Sequence, residues 1–315
     1  MNKKITIIGA GNVGATIAYA LTIREVASEI VLIDINKDKA LGEALDIRQG
    51  TAFTSSTMTY AGDYPDAFGS DIVIITSGMG RKPGQTRLDL AAANTEVIKS
   101  IIPQITRYAK DAIYIIVSNP VDVLTYVFAK YSDIPAEKIM GSGTILDTSR
   151  LRERLAAHYS VNPLNVSAYV LGEHGDSSFI PWTCTTIGNV PAENYNEYLM
   201  DQDKYIAPID KDETIDYVRN SGGYIIKRKG ATYYAVSALV CFLCECLTND
   251  HNTILSVSTM LHGEYGIKDV CLSLPTIVSN VGVKNKIMLP LSKDEIDALK
   301  LSADKLKEIL TGLNL

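Results

Sequence analysis

An α/β fold is predicted, with a doubly wound parallel sheet in the first half of the chain and an α+β substrate or catalytic domain in the second. Three observations predict it. Apart from Thr6 and the leading Asp71, short runs at 5–8, 30–33, 71–75 and 112–117 are apolar throughout rather than alternating, as strands buried on both faces require. Segments of helical character separate them, the order that yields parallel strands. The first run leads at once into Gly9-Ala10-Gly11-Asn12-Val13-Gly14, and the second ends in Asp34, twenty residues after Gly14.

The glycine turn carries the sharpest chemical information. Gly9 suits a tight turn, Gly11 lets backbone approach a pyrophosphate, and Gly14 lets helix and strand pack closely. Residues 15–21 read as a helix whose N-terminal N–H groups face the anion. At the tip of the second strand the Asp34 carboxylate could accept both ribose hydroxyls and would repel a 2′-phosphate, so NAD is expected over NADP. Glycine turns are common, and such a turn alone says little; here strand, turn, helix, second strand and acid all fall at the spacing of a Rossmann unit. The plain alternatives are a βαβ unit without ligand and a cleaved leader, since Lys3-Lys4 precedes an apolar stretch and Ala18-Tyr19-Ala20 could pass for a cleavage site. Asn12 and three glycines interrupt that stretch, which argues against a leader.

Composition narrows the classes further. At 315 residues the chain is long enough for two domains with ample core. A net charge of −6 without a basic block leaves no electrostatic footprint for nucleic acid, and no apolar run reaches the length of a membrane span. A soluble protein with small-molecule business is expected. Five cysteines, an odd number without extracellular spacing, suggest a reducing cytoplasm. Cys241, Cys244 and Cys246 lie in an apolar helical run, 235–247, with no second Cys/His cluster to complete a tetrahedral site, so they read as core thiols and no metal is expected.

Along the chain, 37–48 reads as a polar-faced helix and 71–75 as the next buried strand. Thr76-Ser77-Gly78 follows it, then a loop at 79–86 with Arg81, Lys82, Pro83 and Gly84. A long helix is expected at 87–108, and Ser118-Asn119-Pro120 breaks the strand at 112–117. Ligands of such sheets bind beyond the carboxyl ends of the strands, which puts Thr76, Gly78 and Asn119 on the correct edge. Alternation persists to about Gly141, and the domain boundary is placed near Gly143, dividing the chain into 1–143 and 144–315. Beyond it a helix at 147–159, strands at 166–170 and 180–187, and helices at 214–227 and 231–247 are expected. Residues 191–213 are acidic and Tyr-rich and read as a loose excursion. Strands at 253–259 and 269–279 and an amphipathic helix at 293–310 close the chain.

Two further groups point to chemistry. Leu171-Gly172-Glu173-His174-Gly175-Asp176 sets a histidine between glycines just after a strand, and His is the side chain best suited to exchange a proton near neutral pH. Asp147 and Arg150, three apart on one helix, can present carboxylate and guanidinium to the same cleft. Either group alone could be a satisfied polar residue or a surface ion pair.

Together, Gly9 to Gly14, Asp34, Arg81 to Leu90, Ser118 to Asp122, Gly141 to Arg152 and Gly172 to Asp176 resemble, in order and spacing, the L-lactate/L-malate dehydrogenase family over essentially the whole chain. Lys229 to Tyr234 and Ser256 to Thr259 make the likeness closest to its bacterial lactate members. The resemblance implies an NAD-dependent L-2-hydroxy-acid dehydrogenase, an oxidoreductase of glycolysis in the cytoplasm, acting as a homotetramer or dimer. It implies His174 as general base with Asp147 holding its ring, Arg150 forked onto the substrate carboxylate, Arg87 polarising the carbonyl, and Asn119 fixing substrate or nicotinamide. It also implies a cofactor site of Gly9, Gly11, Asn12, Val13, Gly14, Asp34, Thr76, Gly78, Asn94, Val117 and Asn119. Residues 79–89 would form a lid that closes and delivers Arg87. Two positions depart from the lactate pattern. Arg81 stands where lactate enzymes usually carry glutamine and malate enzymes arginine, and would suit the second carboxylate of oxaloacetate; Thr232 matches the pocket wall of lactate enzymes. Cys184 replaces the histidine beside the sugar-bisphosphate site of activator-responsive members. Arg152 is retained there, which leaves one phosphate ligand without its partner.

Overall fold

The computed structural model describes residues 3–54, 56–80, 84, 86–200 and 206–315. In the first half β1 (Lys4–Ile8), α1 (Asn12–Ile23), β2 (Glu29–Ile33), α2 (Lys37–Gln49), β3 (Met58–Ala61), β4 (Ile72–Ile75), α3 (Arg87–Ile105), β5 (Ile113–Ile116), α4 (Val121–Tyr131) and β6 (Ile139–Gly141) follow one another. The strands lie in the order β3-β2-β1-β4-β5-β6 and all pair in parallel. Strand order reverses between β1 and β4, and a crevice opens there at the carboxyl edge.

The continuous apolar runs are explained by what covers the sheet. Ile5, Ile7, Ile72 and Ile74 point to one face, against Ile17 and Leu21 of α1. Ile8, Val73 and Ile75 point to the other, against Ile98 and Ile102 of α3 and Val127 of α4. With helices on both faces, neither set of side chains reaches water.

After β6 come α5 (Ile145–Tyr159), β7 (Val166–Ser167), β8 (Thr186–Ile187), β9 (Val190–Pro191), α6 (Lys211–Lys229), α7 (Tyr234–Thr248), β10 (Thr253–His262), β11 (Lys268–Ser279), β12 (Gly282–Lys286) and α8 (Lys293–Gly312). The sheet does not stop at β6: β10 pairs antiparallel with it through Ser258 and Gly141, and β11 and β12 extend it to nine strands. At this turn Gly143 has φ +51, and a Cβ on it would lie 2.6 Å from the Ser258 backbone nitrogen. The three thiols Cys241, Cys244 and Cys246 are buried on α7 against the sheet, and burial pushes the Cys241 thiol up to about 12. Among the described residues no helix is long and apolar enough to cross a membrane.

Several elements differ from expectation. The strands expected at 166–170 and 180–187 shrink to Val166–Ser167 and Thr186–Ile187. The chain between them turns at Gly172, with φ +90, and at the Trp182–Cys184 helical turn, and only a bridge between Leu171 and Phe179 remains. The helix expected to reach residue 108 ends at Ile105. Strands β3, β6 and β12 and helix α4 were not expected as elements. Helix α4 is buried from Val121 through Phe128, which erases the polar stripe by which an amphipathic helix is recognised. The excursion at 191–213 holds a seven-residue 3-10 helix, Ala192–Tyr198, and its last three residues begin α6; its residues 201–205 lie outside the described residues.

Candidate active site

The turn after β1 is shaped by contacts that exclude side chains. Gly9 has φ +108, and a Cβ there would come within 2.7 Å of Thr76 Oγ1. A Cβ on Gly14 would lie 1.8 Å from the Gly9 carbonyl oxygen, whereas one on Gly11 would meet nothing within 4 Å. Gly11 therefore faces open crevice. Thr76, just beyond β4, donates its hydroxyl to the Gly9 carbonyl at 2.9 Å and ties the two strand ends together. Helix α1 begins at Asn12 with neither a side-chain cap nor an acid in its first turn, so its leading N–H groups remain available to an anion.

At the far end of the crevice each Asp34 oxygen accepts one backbone N–H, from Ala10 at 2.7 Å and from Asn36 at 2.8 Å. These bonds aim the carboxylate and leave one lone-pair direction on each oxygen. Lys37, beside it, is paired with Asp63 at 2.8 Å. With Lys37 already paired to Asp63 and the Asp34 carboxylate lining the same cavity, this end is unfavourable for a phosphate. The uncapped helix, the open face of Gly11 and the aimed carboxylate fit the pyrophosphate and ribose of a dinucleotide.

The crevice continues past Thr76, Gly78 and Met79 into a second cavity lined by Val13, Val117, Asn119, Arg150, His174 and Thr232. Asn94 is buried between them. Its amide donates to the carbonyls of Met79 at 3.1 Å and Asn119 at 2.7 Å, and its oxygen accepts the Met79 N–H at 2.8 Å. Both amide hydrogens of Asn94 are thus spent on backbone.

In the second cavity His174 and Asp147 meet. Asp147 Oδ2 lies 2.5 Å from His174 Nδ1, and Asp147 Oδ1 accepts from Arg150 Nη1 at 2.9 Å. With Nδ1 held by the carboxylate, Nε2 is the nitrogen left for a ligand. The Asp147 carboxylate raises the His174 pKa to about 8 against the opposing effect of burial. Burial acts most strongly on Asp147 and pushes its carboxyl up, but the charges and hydrogen bonds of His174 and Arg150 together outweigh it and hold the carboxyl below its ordinary value. The ring keeps partial access, with 27% of its side chain exposed.

Arg87, the first residue of α3, pairs with Asp176 at 2.9 Å and Glu173 at 3.6 Å, on the same turn as His174. It lines a cavity continuous with Asn119, Asp147 and His174. Arg81 and the loop positions 82, 83 and 85 lie outside the described residues. Cys184 is beside the Thr183 hydroxyl, while Arg152 donates to the Ala168 carbonyl at 3.1 Å and covers the Tyr169 ring.

Sequence reasoning missed two charged groups here. Arg219 of α6 lines the cavity and donates through Nε to the Ser178 carbonyl at 3.1 Å. Asp122 of α4 is 2% exposed and accepts the His174 backbone N–H at 2.8 Å and the Ser258 hydroxyl at 2.6 Å. Its one signal was an acid just after Asn119-Pro120-Val121 at a helix start, which does not reveal a partner 52 positions away.

A dinucleotide crevice that opens onto a carboxylate-held histidine and a guanidinium is the plan of a dehydrogenase. Comparison with known proteins makes the class definite. Residues 3–141 match the family model for the lactate/malate dehydrogenase NAD binding domain, and residues 144–313 match that for the lactate/malate dehydrogenase alpha/beta C-terminal domain. The chain belongs to the lactate/malate dehydrogenase family and is an NAD-dependent oxidoreductase. It is 46% identical over 313 residues to an L-lactate dehydrogenase of Thermoanaerobacter sp. strain X514, covering 99% of this chain and 100% of that one. It is 46% identical to L-lactate dehydrogenase 1 of Clostridium acetobutylicum, over 99% of each. A crystal structure of the minor L-lactate dehydrogenase from Enterococcus mundtii superposes with a TM-score of 0.92 at 38% identity, over 99% of this chain and 98% of that chain. A lactate dehydrogenase from a Medee basin deep-sea metagenome library does so with a TM-score of 0.92 at 35% identity, over 100% of this chain and 99% of that one. The malate alternative suggested by Arg81 is not favoured by these relatives, which are named lactate dehydrogenases and match along the full length.

Proposed function

We propose that the protein is an L-lactate dehydrogenase, interconverting L-lactate and NAD with pyruvate, NADH and a proton. The observation that carries this reading is the joining of His174, Asp147 and Arg150 at the inner end of the dinucleotide crevice. NAD, when bound, supplies the acceptor for the hydride. Gly11, Asn12, Val13 and Gly14 would hold its pyrophosphate, Asp34 its adenosine ribose, and Gly9, Thr76, Gly78, Val117 and Asn119 its path along the sheet edge. Asn94 shapes that path by holding the Met79 and Asn119 backbone.

In lactate oxidation His174 Nε2 removes the hydroxyl proton, and Asp147 stabilises the imidazolium that results. In pyruvate reduction the same nitrogen returns the proton. Arg150 grips the substrate carboxylate with the guanidinium nitrogens that Asp147 leaves free, and Thr232 forms the wall beside the methyl group. Arg87 exchanges its pairing with Asp176 and Glu173 for the substrate carbonyl oxygen, stabilising the negative charge that develops there. Catalytic amounts of the protein with NADH and either pyruvate or oxaloacetate should consume NADH with higher kcat/KM on pyruvate; a higher value on oxaloacetate, or no turnover of either, would sink the proposal.

The division of labour is placed at residue 143, with 1–143 for the cofactor and 144–315 for the substrate; the two family matches, meeting between 141 and 144, support it. The family resemblance supports a homotetramer or dimer in the glycolysis of the cytoplasm. Free thiols at all five cysteines agree with a reducing compartment. Cofactor choice tests the ribose end. Asp34→Ser should narrow the preference for NADH over NADPH by about tenfold or more, the loss of a charge-assisted bond of about 1.5–3 kcal/mol. An unchanged preference would remove Asp34 from cofactor recognition.

A further inference from the structure

The least economical residue in the core is a carboxylate. Asp122 sits in the first turn of α4, in a run buried from Val121 to Phe128, and its two oxygens make one hydrogen bond each, to the Ser258 hydroxyl and the His174 backbone N–H. An asparagine could accept the His174 N–H equally well and meet Ser258 through its amide without any buried charge, which is costly when unpaired. No lysine or arginine neutralises Asp122 among the described residues. The charged or titratable groups facing it are His174 and Glu173 from the histidine turn and the Cys271 thiol from β11. Of these His174 is the one that can become positive. His174 is therefore held by two carboxylates: Asp147 holds the ring through Nδ1, and Asp122 holds the backbone N–H that carries it.

We propose that Asp122 is a positioning residue for proton transfer, anchoring the His174 backbone to α4 and β10 and contributing, by its charge, to keeping His174 protonated. The proposal rests on the reading of His174 as the acid–base group. Its electrostatics agree: Asp147 foremost and then Asp122 raise the His174 pKa, against burial and the Arg150 charge, which lower it. Burial pushes the Asp122 carboxyl up to about 6 against the lowering effect of Ser258 and His174, so it is ionised across the range in which His174 titrates. The Ser258 hydroxyl fixes the carboxylate from β10, the strand that carries the antiparallel part of the sheet onto β6. The histidine turn is thereby referenced to the sheet that also carries the cofactor crevice.

The test is the pH dependence of pyruvate reduction by the full-length protein, in the parent, Asp122→Asn, Asp122→Ala and Ser258→Ala. Asp122→Asn keeps the shape and the acceptor and removes the charge. It should move the alkaline limb of kcat/KM to lower pH by roughly half a unit or more, with kcat on the acid side changed less than roughly threefold. Asp122→Ala should add a fall in kcat of roughly tenfold or more through misplacement of the ring. Ser258→Ala should fall between parent and Asp122→Ala in kcat, and with Asp122→Asn it decides the matter if Asp122→Ala does not fold. An alkaline limb unmoved in Asp122→Asn overturns the proposal, as does a kcat of Asp122→Ala equal to that of the parent. Failure of the underlying reading is separate: it would show as a parent protein whose turnover does not depend on His174.

Discussion

Replacing His174 with alanine should lower turnover of pyruvate by about 10²–10⁴-fold while NADH still binds, because the proposed acid–base group is lost and the crevice from Asp34 to Gly78 is untouched. Binding is read by fluorescence of the bound nicotinamide and turnover by NADH absorbance. Near-normal turnover would assign the proton to another group. The parent should also show a direction-dependent pH profile. His174 has its pKa raised to about 8, chiefly by the charge of Asp147, so below that pH it carries the proton that reduction needs. Pyruvate reduction should accordingly be flat below about pH 8 and fall roughly tenfold per unit above it, whereas lactate oxidation, which needs the neutral ring, should rise toward the same pH. In Asp147→Asn the midpoint should move down in both directions. Coincident profiles for the two reactions would contradict a shared acid–base group.

Arg150→Lys should cost about ten- to a hundredfold in kcat/KM for pyruvate, the equivalent of one charge-assisted bond of about 1.5–3 kcal/mol. Lysine keeps the charge but loses the planar fork, and in the proposed mechanism Arg150 serves two carboxylates at once: Asp147 at 2.9 Å and the substrate. A lysine ammonium satisfying Asp147 would face the substrate poorly. The loss should appear mainly in KM if the grip is the same in ground and transition state, and in kcat if it orients the carbonyl for transfer. Its side chain is 13% exposed, so solvent offers little substitute. A substrate efficiency within twofold of the parent would mean that Arg219, whose guanidinium lines the same cavity, takes the carboxylate instead.

The cofactor half was legible because its features are local in the chain. Gly9, Gly11 and Gly14 lie within six residues, from the end of β1 into the first turn of α1, and Asp34 directly follows β2. Buried strands β1, β2, β4 and β5 announced themselves because both of their faces are covered. The same burial hid α4, where Asp122 and Thr125 are buried along with the apolar residues, so no exposed polar face marks a helical period over 121–128. The short edge strand β3 and the three-residue β6 carry too few residues for any pattern, and each exists only through pairing with a neighbour.

The candidate site divides in the same way. Residue types and spacing alone determined that a glycine turn suited to a dinucleotide follows β1, that His174 sits on a glycine-flanked turn, and that Asp147 and Arg150 share one helical face, since each follows from backbone geometry over a few residues. Only the tertiary structure decided which charges meet. It joined Asp147 to His174 across 27 positions and Asp122 to the His174 backbone across 52, and it set Arg87 against Glu173 and Asp176. It also ran the sheet on from β6 into β10, so that Ser258 reaches Asp122. Local propensity cannot encode such pairings: a hydrogen bond between distant residues depends on the packing of every element between them, and that packing is set by the burial of the whole apolar surface at once.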